Sequence, residues 1–262
     1  MGSQCKQTVL LTGGLGLLGK AIAKSLNENG FHVIVVDIRE DRSNLPDEID
    51  YIQFDLMQLG DYRKLREAVV KKTSNLKGLI NNAAFNPKIE EGCESFGKFE
   101  EIKLEDWDRE MRLNLTVPVF LIKEMLPVFN RKDQKNCKIV NVLSTYGLVP
   151  PNQDIYKPLG EISGMEIYKP MSYAVSKAAL GMVTKYLAVY LGREGFNSNG
   201  IVPGGIEDGQ PKVFIESYSR LTPMGRMAHV DDMLGALLLL CGDESDYING
   251  QLIAVDGGWT VW

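Results

Sequence analysis

Thr8-Val9-Leu10-Leu11-Thr12-Gly13-Gly14-Leu15-Gly16-Leu17-Leu18-Gly19 is a short apolar run that breaks into a glycine cluster and resumes with helical periodicity. Residues 8–11 read as a strand, and 17–29 as a helix stopped by Gly30. Glycines at 13, 16 and 19 permit a tight bend, close backbone approach to a pyrophosphate, and close packing of helix on sheet. The start of the helix adds amide donors and a partial positive charge. A glycine-rich turn alone is weak evidence, but between a strand and a helix it predicts a dinucleotide site. The β-branched run 32–37 follows as a second strand, and Asp37 at its end stands 24 residues beyond Gly13. A carboxylate there accepts hydrogen bonds from adenosine ribose hydroxyls and repels a 2′-phosphate, which favours NAD over NADP. Arg39, two residues on, is close enough to receive such a phosphate.

The alternation continues along the chain. Strands are expected at 51–54, 78–81, 138–143, 197–202 and 252–255, and long helices at 107–129, 173–193 and 230–241. The strands are continuously apolar rather than alternating, which fits a parallel sheet covered on both faces. With helices between them, the pattern predicts a doubly wound α/β domain. No repeat or low-complexity linker divides it. Two segments are too long for simple connections: acidic 86–105, and 147–170, which holds Pro150, Pro151, Pro158 and Pro170.

Across 262 residues, apolar types make up 44% and charged types 24%, the balance of a globular chain able to bury a large core. A net charge of −5 without a dense basic block argues against a nucleic-acid surface. Cys5, Cys93, Cys137 and Cys241 are scattered, without a Cys-x-x-Cys pair or clustered histidines, so no metal site is expected. The longest apolar run, 236–241, is far too short to span a membrane, and the N-terminal residues carry no cleavable-signal pattern. The expectation is a soluble cytoplasmic protein that binds neither membrane nor nucleic acid.

Ser172-Tyr173-Ala174-Val175-Ser176-Lys177 sets a tyrosine and a lysine four residues apart, on one helix face about a turn from each other. An ammonium about 4 Å from a phenol, at an effective dielectric of ~20, favours the phenolate by roughly 4 kcal/mol. That is enough to bring a phenol close to neutrality, where it exchanges a proton with an alcohol or carbonyl oxygen. Taken alone the pair is weak, because Tyr-x-x-x-Lys recurs by chance on surface helices.

Further motifs fall in order: Asn81-Asn82-Ala83-Ala84 after the fourth strand, Asn114 in a long helix, and Ser144 after the fifth strand. The tail Asn249-Gly250-Gln251-Leu252-Ile253-Ala254-Val255-Asp256-Gly257-Gly258-Trp259 completes a pattern that resembles the short-chain dehydrogenase/reductase family, in its classical branch, from Gln7 to Thr260. The resemblance implies a single-domain Rossmann fold over 1–262, with hydride exchange between a nicotinamide cofactor and a secondary alcohol or ketone. It makes Tyr173 the acid/base. Lys177 would lower the pKa of Tyr173 and bind the nicotinamide ribose, Ser144 would anchor the substrate oxygen, and Asn114 would hold a water linking Lys177 to solvent. It gives cofactor contacts to Gly13, Leu15, Gly16, Leu17, Leu18 and Gly19 in the turn, and to Asp37 and Ile38 after it. Asp55 and Leu56 would meet the adenine, Asn82, Ala83 and Ala84 would line the adenosine side, and Pro203, Gly204 and Ile206 would pass the nicotinamide. Family members pair two long helices across a two-fold axis, which implies a homotetramer or homodimer. The residue types suit the chemistry, since hydride transfer to a carbonyl needs a proton donor and an oxygen anchor on one side.

Some features depart from that family pattern. Asp208 stands where threonine is common, beside Glu207, and Ala84 replaces a glycine. Ser144 and Tyr173 are 29 residues apart, where about a dozen are usual. The added length is the insertion 147–170, whose Tyr156, Lys157, Tyr168 and Lys169 are expected to wall the substrate pocket. Its opening, Tyr-Gly-Leu-Val-Pro-Pro-Asn-Gln over 146–153, is similar to reductases of bacterial surface-sugar and flagellin-glycan pathways. The prolines disfavour a regular helix, while Gly160 and Gly164 leave room to bend, so the segment reads as a gate for substrate. Shortening 152–166 to a tight turn is expected to raise the substrate KM and spare NAD affinity. The activity that follows is NAD(H)-dependent interconversion of a secondary alcohol and a ketone on a polar small molecule, sugar derivatives included. A 3-oxoacyl-carrier-protein reductase is the alternative, against which stand Asp37 and the wide serine–tyrosine gap. A non-catalytic dinucleotide sensor is the alternative of another kind, but a sensor needs no acid/base set.

Overall fold

The computed structural model describes residues 6–86, 97–131 and 136–262. Seven strands form one sheet in the order β3-β2-β1-β4-β5-β6-β7. They are β1 (Thr8–Thr12), β2 (His32–Asp37), β3 (Asp50–Gln53), β4 (Leu76–Asn81), β5 (Cys137–Val142), β6 (Phe196–Pro203) and β7 (Leu252–Val255). Every pairing is parallel, with Leu10 flanked by Ile34 and Leu79. In the five inner strands alternate residues go to opposite, equally buried faces, which is why these strands read as unbroken apolar runs. Leu10, Ile34, Leu79 and Ile139 pack under α2 (Tyr62–Lys72), α4 (Val117–Met125) and α6 (Met171–Leu191). Leu11, Val35, Ile80 and Val140 pack under α1 (Leu17–Glu28) and α8 (Leu234–Cys241). Leu10, Leu11 and Leu79 are fully buried, and each such side chain stabilises the fold by about 1.5–3 kcal/mol. The strand order reverses between β1 and β4, and a crevice opens there at the carboxyl ends.

The doubly wound Rossmann architecture is the one expected, and the strand near 197–202 is present. The helices differ in detail. In place of one helix over 107–129 there are α3 (Leu104–Met111), a π-helical turn Arg112–Thr116, α4, and a 3-10 turn Leu126–Val128. Pro118 has no amide for the Asn114 carbonyl four residues back, and its ring crowds that carbonyl, so the helix widens there. The helix expected at 230–241 begins as a 3-10 turn, Val230–Met233.

The insertion also departs from expectation, because its prolines do not prevent a helix. A 3-10 turn, Gln153–Tyr156, leads into α5 (Lys157–Ser163). Pro158 falls in the first turn, where its missing amide has no intrahelical partner to lose, and Gly164 ends the helix at φ +71°. Ile155, Tyr156, Leu159 and Ile167 pack on Trp259 and on Phe214 and Tyr218 of α7 (Lys212–Arg220). Of the segment 86–105, residues 87–96 lie outside the described residues, as do Cys5 and Cys93. Among the described residues no helix is long and apolar enough to cross a membrane.

Candidate active site

The carboxyl ends of β1, β2, β4, β5 and β6 open onto one cleft with a volume of about 710 Å³. At its floor Gly13 turns with φ +66°, and a Cβ there would lie 2.8 Å from the Ala83 Cα. Only glycine lets the ends of β1 and β4 come so close. A Cβ on Gly19 would lie 2.1 Å from the Gly13 carbonyl oxygen, so α1 begins directly against the turn. The result is a backbone cradle at a helix N-terminus, which fits a pyrophosphate. Asn82 fixes it by donating from Nδ2 to the Thr12 and Gly13 carbonyls, both at 3.0 Å. Thr12 Oγ1 in turn accepts from the Asn82 and Ala83 amides, both at 3.0 Å, a supporting role that sequence reasoning missed.

Gly16, Leu17 and Leu18 line the cleft with Ile38, Asp55, Leu56, Ala83 and Ala84. Leu15 does not: its side chain is buried, and its amide donates to Asp37 Oδ2 at 2.9 Å. Arg39 grips the same carboxylate with Nε and Nη2, each at 3.1 Å. Burial alone would raise the Asp37 pKa. The Arg39 guanidinium and the Leu15 and Arg39 amides outweigh it and hold the carboxyl below its ordinary value. Asp55 Oδ1 accepts from the Met57 amide at 2.9 Å.

Ser144 follows β5 directly, and Tyr173 and Lys177 stand one turn apart on the buried face of α6. The Tyr173 phenol and the Ser144 hydroxyl line the same cleft, with the Ser144 hydroxyl near enough to favour the ionised phenol. Lys177 Nζ lies 5.9 Å from the Tyr173 ring centroid and donates to the Val142 carbonyl at 2.7 Å. Burial pushes the Tyr173 phenol up to about 12, with the nearby Ser144 hydroxyl opposing and the Glu110 charge adding to it. Burial brings the Lys177 ammonium down to about 8. The phenol therefore stands above its ordinary value, where the Tyr–Lys spacing predicts a lowering. Dehydration of both groups outweighs their attraction, because the ammonium is aimed at a backbone carbonyl.

Asn114 sits in the π-helical turn, behind the cleft wall. Its Oδ1 accepts from the Phe85 amide at 2.7 Å, and its Nδ2 donates to the Phe85 carbonyl at 2.9 Å. The same Nδ2 is 3.3 Å from Ser176 Oγ on α6, so Asn114 ties the segment after β4 to the tyrosine helix.

Pro203 at the end of β6, and Gly204 and Ile206 just beyond it, line the cleft. The Asp208 amide donates to Gln210 Oε1 at 2.8 Å, and Gln210 Nε2 donates to the Ile206 carbonyl at 3.0 Å. Gln210, unmarked in the sequence, thus braces the loop where a threonine is usual. Of the four insertion residues, Tyr156 and Lys169 line the cleft, whereas Lys157 and Tyr168 do not. The Tyr156 and Tyr146 hydroxyls are 3.1 Å apart. Tyr218 accepts from the Gly205 amide at 2.6 Å and stacks on Trp259 with centroids 4.2 Å apart. Tyr146 and Tyr218 also carry no readable signal, since their place depends on packing between distant segments.

A family profile described as enoyl-(acyl carrier protein) reductase matches residues 16–260. The 3-oxoacyl-[acyl-carrier-protein] reductase of Thermotoga maritima is 29% identical over 264 residues, spanning 96% of this chain and 97% of that protein. The post-translational flagellin modification protein A of Campylobacter coli is 25% identical over 262 residues, spanning 96% of this chain and 97% of its own. A short chain dehydrogenase from Leptospira borgpetersenii, solved with bound NAD+, has a TM-score of 0.84 at 28% identity and covers 98% of this chain and 93% of that one. The chain belongs to the short-chain dehydrogenase/reductase family. It is an NAD(P)-dependent oxidoreductase acting on CH–OH groups.

Proposed function

We propose that this enzyme uses NAD(H) to interconvert a secondary alcohol and a ketone on a polar small molecule, with sugar derivatives the best-fitting class. The observation that carries the reading is that Ser144, Tyr173 and, one helical turn on, Lys177 line the same cleft as the glycine turn. A nicotinamide cofactor supplies or accepts the hydride when bound. The glycine cradle, Asp37 and the 203–206 loop are the residues that would hold it. Ser144 orients the substrate oxygen. Tyr173, a neutral phenol at pH 7, is in the form that donates a proton to a ketone oxygen during reduction. The Lys177 ammonium keeps positive charge beside the phenol as that proton leaves.

Preference for NAD(H) is supported by Arg39, whose guanidinium fork is already engaged by Asp37. A polar substrate is supported by the Tyr146 and Tyr156 hydroxyls and the Lys169 ammonium lining an otherwise aromatic end of the cleft. The insertion 147–170 is, in this reading, the wall of the substrate site. Its setting is the cytoplasm, as a homodimer or homotetramer.

The test is a panel of keto sugars, sugar phosphates, amino sugars and a 3-oxoacyl thioester, followed by NADH and NADPH absorbance, with calorimetric titration of both cofactors. Turnover of a hydroxylated ketone is expected. NAD(H) should bind at least about tenfold (1.4 kcal/mol) tighter, with Asp37→Ala narrowing the gap. Turnover of the thioester alone would replace this reading with a carrier-protein reductase. Equal affinities, or tighter NADP(H), would mean that Arg39 governs the ribose end.

A further inference from the structure

On the side of Tyr173 facing the insertion stands a second buried cation, outside the family's Asn–Ser–Tyr–Lys set. Lys169 Nζ lies 4.5 Å from the Tyr173 ring centroid, nearer than Lys177, and the residue lines the same cleft as Ser144 and Tyr173. It is 7% exposed, so its charge is not a solvated surface charge. The backbone that delivers it is clamped. The Lys169 amide donates to Gln153 Oε1 at 2.8 Å, and Gln153 Nε2 donates to the Lys169 carbonyl at 3.2 Å. Gln153 belongs to the insertion's 3-10 turn, so the insertion positions this lysine from both of its ends.

Asn86 and Glu110 are among the described groups that contact the ammonium or set its charge. Asn86 Oδ1, on the cleft rim, accepts a hydrogen bond from Nζ. Glu110, 1% exposed and held by the Ser172 hydroxyl at 2.9 Å, lies on the far side and favours the charged lysine. Burial brings Lys169 down to about 8 against that field, which leaves it protonated at neutral pH. The arrangement is a buried positive charge 4.5 Å from the Tyr173 ring centroid, favoured by the field of a buried carboxylate.

We propose that Lys169 is a specificity residue that receives a carboxylate on the substrate, next to the carbinol or ketone carbon or one carbon further along. This rests on the polar-ketone reading above and narrows it to oxo and hydroxy acids, sugar acids among them. A carboxylate fits better than a phosphate, because a phosphate is usually met by several donors or a helix N-terminus, and among the described residues the Lys169 ammonium and the Asn86 amide share the position. Exchanging the neutral Asn86 oxygen for a carboxylate oxygen makes the hydrogen bond charge-assisted on both sides. Because an anion on Lys169 sits beside the Tyr173 ring, it also fixes which carbonyl of a polyhydroxylated substrate meets the Ser144–Tyr173 pair.

The probes are 2-oxo and 3-oxo carboxylates, each paired with its primary amide, reduced by wild-type enzyme with NADH or NADPH. The expected wild-type kcat/KM favours the acid at least about tenfold over its amide, the scale of one hydrogen bond between charged groups. In Lys169→Met that acid-to-amide ratio should fall at least about tenfold, through a higher KM for the acid. Lys169→Gln serves as a second variant, and cofactor titration checks that each is folded. A purely structural lysine would lower acid and amide turnover together and leave the ratio unmoved, which overturns the proposal. So does a wild-type enzyme that prefers amides or uncharged hydroxyketones, a result that needs no variant and leaves the polar-ketone reading standing. If no ketone of either panel is reduced, the polar-ketone reading itself falls and this inference falls with it.

Discussion

Tyr173 and Lys177 are dehydrated by the same packing, with opposite consequences. A buried phenol keeps its proton and a buried ammonium gives it up more readily. For Lys177 and for Lys169, the gap between the usual 10.5 and about 8 corresponds to a net cost of about 3 kcal/mol each for holding the charge. Methionine would fill either position at lower cost, so two charges held there against burial argue for chemistry rather than stability. In the reductive direction Tyr173 supplies the proton, and Tyr173→Phe keeps the ring while removing it. The expected result is a fall in kcat of at least about 10²-fold, with NAD(H) affinity unchanged within a few-fold by calorimetry. Turnover close to wild type would take Tyr173 out of the mechanism and assign the proton transfer to another group. The pH profile carries a second sign: the Lys177 ammonium is present below about 8 and lost above it. Reduction is therefore expected to decline as pH rises through that value.

Among the elements, those whose surroundings are uniform were legible and those set by distant contacts were not. The five inner strands are buried on both faces, so their continuous apolar runs place the sheet within a residue or two. The Gly13–Gly19 turn and the Tyr173–Lys177 pair are local spacings, readable without a structure. By contrast α2 buries only Tyr62, Leu65 and Val69 in a charged helix, and α7 only Phe214, Ser217 and Tyr218, stripes too thin to stand out. The helix α5 was hidden by reading Pro158 as a breaker, when its position in the first turn makes it a starter. No spacing predicts that Glu110, Lys169 and Asn86 meet, since they come from segments far apart in the chain. The packing of the insertion also changes how its role is best tested. Excising 152–166 would strip Ile155, Tyr156 and Leu159 from Phe214 and Tyr218 and expose α7. Leu159→Ala is the finer cut. It should lower stability by about 2–5 kcal/mol, read by thermal melting, and raise the substrate KM several-fold while NAD(H) affinity holds. A destabilised variant with an unchanged KM would make the insertion a structural buttress with no part in the substrate site.

At the scale of the whole molecule, α4 and α6 are apolar on more than the faces that cover the sheet. Val117 and Leu121 are buried in the core, whereas Phe120 is 44%, Met182 65%, Tyr186 64%, Val189 86% and Tyr190 63% exposed. Tyr186 and Tyr190 stack on each other with centroids 5.9 Å apart, presenting a flat aromatic surface outward. A patch of this composition is costly to leave in water, and burying each large side chain would return about 1.5–3 kcal/mol. Both helices also carry the site: α6 holds Tyr173 and Lys177, and α4 continues from the turn that holds Asn114. Pairing them with their counterparts across a two-fold axis would cover the patch on both copies with one self-complementary contact. It would also stiffen the helices from which the acid/base set projects. Light scattering at micromolar concentration is expected to give twofold or fourfold the chain mass. Val189→Asp, which places a charge at the most exposed of these positions, should shift the population toward monomer and lower the melting temperature, without altering any side chain that lines the cleft. A wild-type chain that is monomeric at that concentration would rule the pairing out and leave the apolar face to a different partner.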